Sequence, residues 1–302
     1  MTSFREILIA TEDALVEANI YCGHGFDSAH DEAVALVLAA ANLSLTETGS
    51  EILDESFPNE AESTLEQYVQ RRCHDREPTA YIVGEAYFGP LSFICDRRAL
   101  VPRSPIAELV EKEFDPWLTS ASPEVIVDVC CGGGSLGLLA NAVFPEALVV
   151  LSDLDRSALS LAADNRQLHD ASVGLIRGDL LSWLADESTD VILANPPYVD
   201  AEDMAALPPE YLHEPQLALD GGADGLDLVH SLLIDAERTL KQGGIMILEV
   251  GNSLEALDAI SAHLSPVWVE LAYGGHGVAI LTKTDLSIWR GMTDNLGSRV
   301  GV

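Results

Sequence analysis

Hydrophobic positions recur at helical spacing over the first part of the chain, from residue 4 to about residue 80. Leu8 and Leu15 lie in one such stretch and Leu36 in a second, and a turn-like segment at residues 23–27 separates the two. Since the pattern resumes after the turn and continues to about residue 80, a small helical domain is predicted over residues 1–80.

The next stretch, residues 81–102, has a different pattern, because aromatic and β-branched side chains there lie between turn residues. Residues 81–83 are all of this type and precede Gly84, and further apolar residues flank Gly89, which is followed by proline. This arrangement predicts a β-hairpin that links two larger units.

From residue 103 to residue 302, short apolar runs alternate with helical stretches. This order is typical of an α/β fold in which helices flank a mainly parallel sheet. Strands are predicted at residues 125–129, 148–151, 173–176, 191–194, 245–249, 267–271 and 278–281, with helices at 136–143 and 158–168. The tail beyond about Trp289 is predicted to be loosely held.

A glycine-rich turn follows the first of these strands. The sequence from Asp128 continues with Cys130, Cys131, Gly132, Gly133 and Gly134 and then enters a helix. Glycines in such a turn let the backbone approach a bound ligand closely. Asp153, at the end of the next strand, can accept hydrogen bonds from both hydroxyls of a ribose, so the pair predicts a nucleoside-bearing cofactor. Residues 132–137 also satisfy GxGxxG, which leaves a dinucleotide-dependent dehydrogenase open at this point.

The motif Asn195-Pro196-Pro197-Tyr198 follows the strand at residues 191–194 and favours methyl transfer instead. A planar amide or aromatic amine is a weak nucleophile unless its NH₂ group is held in a reactive orientation. The Asn195 side-chain oxygen and the Pro196 carbonyl can each accept one proton of that group. The prolines stiffen the loop, and the Tyr198 ring can pack over the planar group.

The charge of the chain makes nucleic acid a poor partner. Acidic residues number 49 against 16 basic ones, which gives a formal net charge of −33. A polyanion is repelled by such a surface unless basic residues concentrate in one patch. The one small cluster is Arg71, Arg72 and Arg76. Two explanations compete for the acidity: steering of a basic protein substrate, and a solvated surface suited to a salt-rich cytoplasm, which is favoured.

Cysteine usage and the N-terminus predict a reduced, cytoplasmic protein. The five cysteines form no CxxC pair and have no histidine at zinc-finger spacing, so neither a metal site nor a disulfide framework is expected. The N-terminus lacks the basic start and apolar run of a secretory signal, and no stretch approaches the roughly 20 apolar residues that span a bilayer.

Beyond the glycine turn and the Asn-Pro-Pro-Tyr motif, several segments resemble the HemK-like glutamine amide methyltransferases, which modify translation release factors or a ribosomal protein. The resemblance covers most of the chain and is strongest to the branch that acts on ribosomal protein L-three. The segments that carry it are residues 19–25, 76–82, 101–109, 198–204, 211–215 and 249–253.

This resemblance implies a Rossmann-like, seven-stranded class I methyltransferase sheet with its last strand pair antiparallel, behind an N-terminal helical substrate-recognition domain. It implies S-adenosyl-L-methionine as the cofactor and a protein glutamine as the substrate. Asn195, Pro196, Pro197 and Tyr198 would then be the catalytic motif, with Asn195 between the cofactor methyl and the target amide. The implied cofactor-binding residues are Asp128, Cys130, Cys131, Gly132, Gly133, Gly134, Asp153, Leu154, Asp179, Leu180 and Asn195.

Three other interpretations are weighed against this one. The release-factor glutamine is the alternative substrate within the same family. An adenine-amine methyltransferase would use the same motif but needs base flipping and a basic groove. A silent binding module would keep the fold without turnover, against which the intact Asp153 and Asn195 argue. His24 and His213 are interpreted as structural or substrate-lining residues, and Arg103 and Glu108 either shape the pocket or form an ordinary salt bridge.

Overall fold

The structure is a computed structural model that describes residues 2–46, 49–118, 122–260, 264, 266–272 and 274–297. The helices are α1 Phe4–Glu17, α2 Ala29–Ala40, α3 Asn59–Cys73, α4 Thr79–Val83, α5 Ala107–Glu111, α6 Ser135–Val143, α7 Arg156–Leu168, α8 Ala201–Ala206, α9 Val229–Thr239, α10 Leu254–Ile260 and α11 Lys283–Gly297. The strands are β1 Glu85–Phe88, β2 Leu91–Ile94, β3 Val125–Val129, β4 Leu148–Asp153, β5 Val173–Arg177, β6 Thr189–Ala194, β7 Leu240–Glu249, β8 Val267–Trp268 and β9 Val278–Thr282. Single 3₁₀ turns occur at Ser50–Asp54, Pro209–His213, Gln216–Ala218 and Gly251–Ser253.

The first four helices pack on one another around their own apolar core. Ser3 begins α1 with a capping box, because its hydroxyl accepts a hydrogen bond from the Glu6 N–H while the Glu6 carboxylate accepts from the Ser3 N–H. Leu15 and Leu36 are fully buried in this core. The helical prediction for this part of the chain is confirmed, whereas the division into units at residues 80 and 102 stays a prediction.

The predicted hairpin is present as β1 and β2, but it begins later than the sequence indicated. Residues 81–83 belong to α4 and not to a strand. Pro78 precedes this helix and Gly84 ends it with a left-handed φ of 79°. A proline before the first turn and a left-handed glycine after the last are helix signals that outweigh the β preference of the three side chains at residues 81–83.

The main sheet contains seven strands in the order β5-β4-β3-β6-β7-β9-β8. Strands β3 to β7 are all parallel to one another, and β9 runs antiparallel to both β7 and β8. The α/β class and all seven predicted strands are confirmed. Strand β8 is shorter than predicted, since only Val267 and Trp268 pair with β9.

The C-terminal part of the chain forms a helix, and the loosely held tail beyond about Trp289 stays a prediction. Helix α11 continues to Gly297, and Leu286 and Trp289 are buried against the sheet and α9. Asp285 caps the start of the helix by accepting from the Thr282 N–H. Residues 298–302 lie outside the described residues. None of the described helices combines the length and apolar character that crossing a membrane requires.

The chain order places a switch point at the centre of the sheet, because β3 pairs with β4 on one side and with β6 on the other. Ligands of open α/β sheets bind at the carboxyl ends of strands beside such a point. Asp153 ends β4, Asn195 follows β6 and Glu249 ends β7, so three polar side chains meet at this edge.

Gly137 in α6 lets that helix approach the sheet closely. A Cβ at this position would lie 1.9 Å from a methyl carbon of Leu151, which is buried in β4. We expect Gly137→Ala to lower the free energy of unfolding by about 1–3 kcal/mol, the usual cost of overpacking a core. Urea unfolding measures this loss. Gly291→Ala in α11 is the matched control, since its Cβ meets nothing within 4 Å and alanine favours a helix.

Candidate active site

A cavity of about 580 Å³ opens at the carboxyl ends of β3, β4, β6 and β7. It brings together nearly all of the residues that the sequence predicted as a site. Those that line it are Asp128, Cys130, Cys131, Gly132, Gly133, Asp153, Leu154, Asp179, Leu180, Asn195, Pro196, Pro197 and Tyr198. Gly134 does not line it. This glycine begins α6 with a φ of 85°, and a Cβ there would lie 3.0 Å from Leu151, so its role is in packing.

Asp153 links the glycine-rich turn to the end of β4. One oxygen of its carboxylate accepts a hydrogen bond from the Gly132 N–H at 2.9 Å, and the other accepts from the Asp155 N–H at 2.8 Å. Each carboxylate oxygen has a further lone pair, so both can still accept from a ligand in the cavity. Gly132 adopts a left-handed φ of 53°, a conformation that glycine takes at little cost.

Asp128 lies beneath the turn with its carboxylate buried. It accepts from the Gly137 N–H at 2.8 Å. Burial, together with the nearby charge of Asp153, raises the pKa of Asp128 to about 7 in spite of that hydrogen bond. Burial likewise raises the pKa of the Cys130 and Cys131 thiols, so both are protonated at neutral pH. The turn therefore offers backbone and carboxylate groups and no thiolate.

Asn195 is half-buried where β6 meets the cavity. No described residue forms a hydrogen bond with its side-chain amide, so the amide is available to a ligand. Pro196, the next residue, is buried and fixes the path of the loop through its ring.

Tyr198 is held in place by its hydroxyl and by its backbone. The hydroxyl donates to Glu249 at 2.9 Å, and Glu249 also accepts from the Ser104 hydroxyl at 2.5 Å. The Ser253 hydroxyl donates to the Tyr198 carbonyl at 2.9 Å. Tyr198 is therefore anchored at the edge of the cavity, and the packing of its ring over the substrate amide stays a prediction.

Three glycines surround Tyr198 so closely that none could carry a side chain. A Cβ at Gly251 would lie 2.5 Å from the Tyr198 ring, one at Gly225 2.3 Å from its carbonyl oxygen, and one at Gly221 2.7 Å from its Cα. Gly225 and Gly251 also have left-handed φ values of 76° and 47°. Sequence reasoning did not identify these positions, because contacts between segments this far apart leave no local pattern.

Arg103, which lines the cavity, forms an ion pair with the fully buried side chain of Glu214. Both guanidinium Nη atoms donate to the Glu214 carboxylate, at 2.5 and 2.7 Å. Glu214 also accepts from the Val101 N–H at 3.0 Å. Arg103 lines the cavity, whereas Glu108 pairs with Lys112 one helical turn away at 2.5 Å. Of the two proposed roles, Arg103 therefore shapes the pocket and Glu108 forms a local salt bridge.

The two histidines make structural contacts and do not line the cavity. His213 shares a hydrogen bond of 2.7 Å with the Asp75 carbonyl. His24 is buried, with its ring centroid 4.4 Å from that of Tyr211 and its Nε2 3.4 Å from a Glu214 oxygen. Neither position supports a role as a base for a ligand.

Comparison with known proteins identifies the chemistry of this fold. The family described as "Methyltransferase small domain" matches residues 116–222. Three proteins named "Ribosomal protein uL3 glutamine methyltransferase" match most of the chain. They come from Francisella tularensis subsp. tularensis (38% identity, 89% of this chain and 86% of that protein), Bordetella pertussis (38%, 95% and 97%) and Xanthomonas campestris pv. campestris (41%, 87% and 85%). The chain belongs to the ribosomal protein uL3 glutamine methyltransferase family. This membership confirms the resemblance stated above and removes the dehydrogenase alternative.

The cavity of this glutamine methyltransferase family member fits S-adenosylmethionine, the cofactor of such enzymes. The cofactor carries a ribose and a sulfonium cation. Asp153 has free lone pairs for hydroxyl groups, and the carboxyl groups of Asp128 and Asp153 both lie beside the turn. The glycine backbone leaves the space that a Cβ would fill. The residues present therefore suit a cationic nucleoside.

Asn165 is a site residue of this methyltransferase that sequence reasoning missed. It is buried in α7, and its amide nitrogen donates to the carbonyls of Gly133 and Ile94 at 3.0 and 3.2 Å. Its amide oxygen accepts from the Ile94 N–H at 2.7 Å. One side chain thus joins the hairpin to the glycine turn. Within the helical pattern of α7 no signal distinguishes it from a surface asparagine.

The Glu214 ion pair gives the protein a pH-dependent stability. Although burial alone would raise the pKa of Glu214, Arg103 and His24 lower it to about 2, from an ordinary value of 4.5. A carboxyl group with a depressed pKa stabilises the fold above the unfolded-state value and loses this contribution as the pH falls toward the folded-state value. The stabilisation is about 3 kcal/mol by linkage.

We therefore expect the wild-type free energy of unfolding to fall by about 3 kcal/mol between pH 5 and pH 2 because of this one group. In Glu214→Gln this component is absent, and the variant is less stable at pH 7. Urea unfolding of both proteins at several pH values gives the difference. Parallel curves for the two proteins would show that Glu214 carries no such contribution.

Proposed function

We propose that this protein transfers a methyl group from S-adenosylmethionine to the side-chain amide nitrogen of a glutamine in ribosomal protein uL3. The observation that carries the proposal is the position of Asn195, whose free amide opens into the same cavity as the glycine turn and Asp153. The names of the relatives support uL3 as the substrate.

The Asn195 side-chain oxygen and the Pro196 carbonyl accept the two protons of the glutamine NH₂ group. This fixes the plane of the amide and stabilises positive charge that develops on its nitrogen. S-adenosylmethionine, when bound, supplies an electrophilic methyl on its sulfonium. Tyr198 forms a rigid edge of the cavity, because hydrogen bonds with Glu249 and Ser253 and close packing against three glycines restrict its movement. The amide proton leaves to water after transfer, so no side chain is needed as a base.

The charges around the cavity favour a neutral amide over nucleic acid. Among the described residues that line it, the arginines are Arg98 and Arg103, and both are paired with carboxylates. No lysine or arginine occurs between Tyr198 and Glu237, the segment that contributes much of the cavity wall. A phosphate backbone would find no free cation here. These features support a protein substrate over the adenine-amine alternative.

In this proposal the helices of residues 1–80 recognise the substrate, residues 81–102 link them to the catalytic unit, and residues 103–302 perform the transfer. Tyr21, from the helical part, lines the cavity beside the residues of the catalytic part, which supports a shared recognition surface. The cytoplasm, where ribosomal proteins are synthesised, is the proposed location.

Methyl transfer from labelled S-adenosylmethionine tests the proposal directly. The candidates are purified uL3, a release factor and duplex DNA, each at low and at high salt. We expect label on a glutamine side chain of uL3, located by mass spectrometry of the digested product. Label on the release factor instead would place the protein in the sister branch, and label on DNA alone would overturn the substrate class.

A further inference from the structure

Two tyrosines from distant parts of the chain face the cavity together. Tyr21 lies in the loop between α1 and α2, and Tyr211 lies in the 3₁₀ turn Pro209–His213. Their ring centroids are 5.9 Å apart with an interplanar angle of 52°, and both rings line the cavity into which Asn195 opens. Tyr21 is 44% exposed, so it can contact a ligand at the mouth of the cavity.

A buried arginine holds the backbones of these two segments together. Arg72 is 1% exposed and donates to the Tyr21 carbonyl at 2.8 Å and to Glu210 at 3.1 Å. The same Glu210 oxygen accepts from the Tyr21 N–H at 2.9 Å. Because Glu210 immediately precedes Tyr211, Arg72 and Glu210 fix the backbone on both sides of the tyrosine pair.

The cluster around Arg72 is balanced in charge, with Arg72 and Arg76 against Glu32 and Glu210. Glu32 accepts from Arg72 at 2.5 and 2.9 Å and from the Thr79 hydroxyl at 2.6 Å. Arg76 lies 3.2 Å from Glu210. Burial would raise the pKa of Glu210, but the Tyr21 N–H and the arginines lower it overall, so the group stays ionised. A buried ionic cluster stabilises a fold little more than apolar side chains of equal size would, whereas its directional bonds fix the position of Tyr21 relative to Tyr211.

The rings themselves are also restrained. A Cβ at Gly23 would lie 2.3 Å from the Tyr21 ring, so the ring folds back over a residue that has no side chain. The Arg103 guanidinium lies 5.5 Å from the centroid of the Tyr211 ring, and His24 contacts the same ring. Since Glu214 neutralises Arg103, the wall that the two tyrosines present is aromatic and carries no free charge.

We propose that Tyr21 and Tyr211 form an aromatic wall that binds the planar peptide groups of the main chain beside the target glutamine. Arg72, Glu32 and Glu210 are the positioning residues that hold this wall. The inference rests on the proposed function and adds to it the form in which the substrate is recognised. A helix covers its own peptide groups with side chains, whereas a non-helical segment leaves them open to packing on a phenol face. The partner is therefore a non-helical segment of polypeptide.

Steady-state kinetics with uL3 test the wall. We expect Tyr21→Ala and Tyr211→Ala each to raise the KM for the protein substrate by about 10- to 100-fold, as aromatic anchors at interfaces do. A contact made equally in the ground and transition states leaves kcat almost unchanged. Tyr21→Phe keeps the aromatic face and should keep the wild-type KM. Tyr87→Ala is the matched control, since Tyr87 lies on the hairpin and does not line the cavity.

A double-mutant cycle tests the positioning residues. Arg72→Met risks misfolding, so Glu210→Gln is used, which keeps the shape of the side chain. If Glu210 acts through Tyr21, Glu210→Gln raises KM in the wild type but adds little in the Tyr21→Ala background. Cofactor affinity, measured by calorimetry, stays at the wild-type value in every variant.

The outcomes separate this inference from the proposed function. Wild-type protein that labels uL3 while Tyr21→Ala and Tyr211→Ala keep the wild-type KM would overturn the aromatic wall alone. Fully additive effects of Glu210→Gln and Tyr21→Ala would overturn the positioning role. Wild-type protein that labels no protein substrate would overturn the proposed function, and the aromatic wall with it.

Discussion

Replacing Asn195 with alanine is expected to abolish methyl transfer while S-adenosylmethionine still binds. The variant removes the acceptor that orients the glutamine amide. The amide nitrogen, a weak nucleophile, is then no longer held facing the cofactor methyl. Loss of one such oriented group costs about 10²- to 10³-fold in kcat in other enzymes, and misplacement of the amide adds to it. We expect kcat to fall by about 10³-fold or more.

Two measurements make the Asn195 result decisive. Calorimetry should show that S-adenosylmethionine still binds to the variant, because Asp153 and the glycine turn are untouched. Asn141→Ala, on α6 and outside the residues that line the cavity, is the control for loss of an asparagine. If Asn195→Ala turned over at a rate close to that of the wild type, the result would contradict the proposed mechanism.

Replacing Asp153 with alanine is expected to weaken cofactor binding, whereas Asn195→Ala loses methyl transfer and still binds the cofactor. The carboxylate provides the free lone pairs for a ribose and also holds the Gly132 and Asp155 N–H groups. Hydrogen bonds to a charged group contribute about 1.5–3 kcal/mol each, so the Kd for S-adenosylmethionine should rise by about 100-fold or more. Calorimetry measures this without any protein substrate.

The control for Asp153→Ala is Asp186→Ala, which removes an exposed carboxylate that pairs with Arg238 and does not line the cavity. It should bind the cofactor as the wild type does. Equal affinities for Asp153→Ala and wild-type protein would exclude Asp153 from the cofactor site and would point to Asp179 or another lining residue as the acceptor.

The strands and the residues that line the cavity at their ends could be predicted because their signals are local. Buried parallel strands are continuous apolar runs, and the residue that follows such a run lies at the ligand-binding edge. Asp153 and Asn195 were identified in this way. Residues 81–83 were misassigned because their side chains favour a strand, while the decisive signals, Pro78 and Gly84, lie outside the apolar run.

The supporting residues could not be predicted, because each depends on a contact between distant segments. Arg72 meets Glu210, Arg103 meets Glu214 and Tyr198 meets Glu249 only after the chain has folded. The acidic partners lie among many other carboxylates in a chain with 49 of them. Because acidic residues are so numerous, the sequence does not indicate which of them are buried and paired.

The close packing of glycines around Tyr198 also bears on how the protein tolerates change. In a saturation mutagenesis screen for activity, Gly221, Gly225 and Gly251 should reject every substitution, although none of them donates a group to the reaction. A Cβ at any of the three displaces the backbone or ring of Tyr198. Sequence change at these three positions is thus restricted by the space that Tyr198 occupies, as strongly as change within the Asn-Pro-Pro-Tyr motif is restricted by its chemistry.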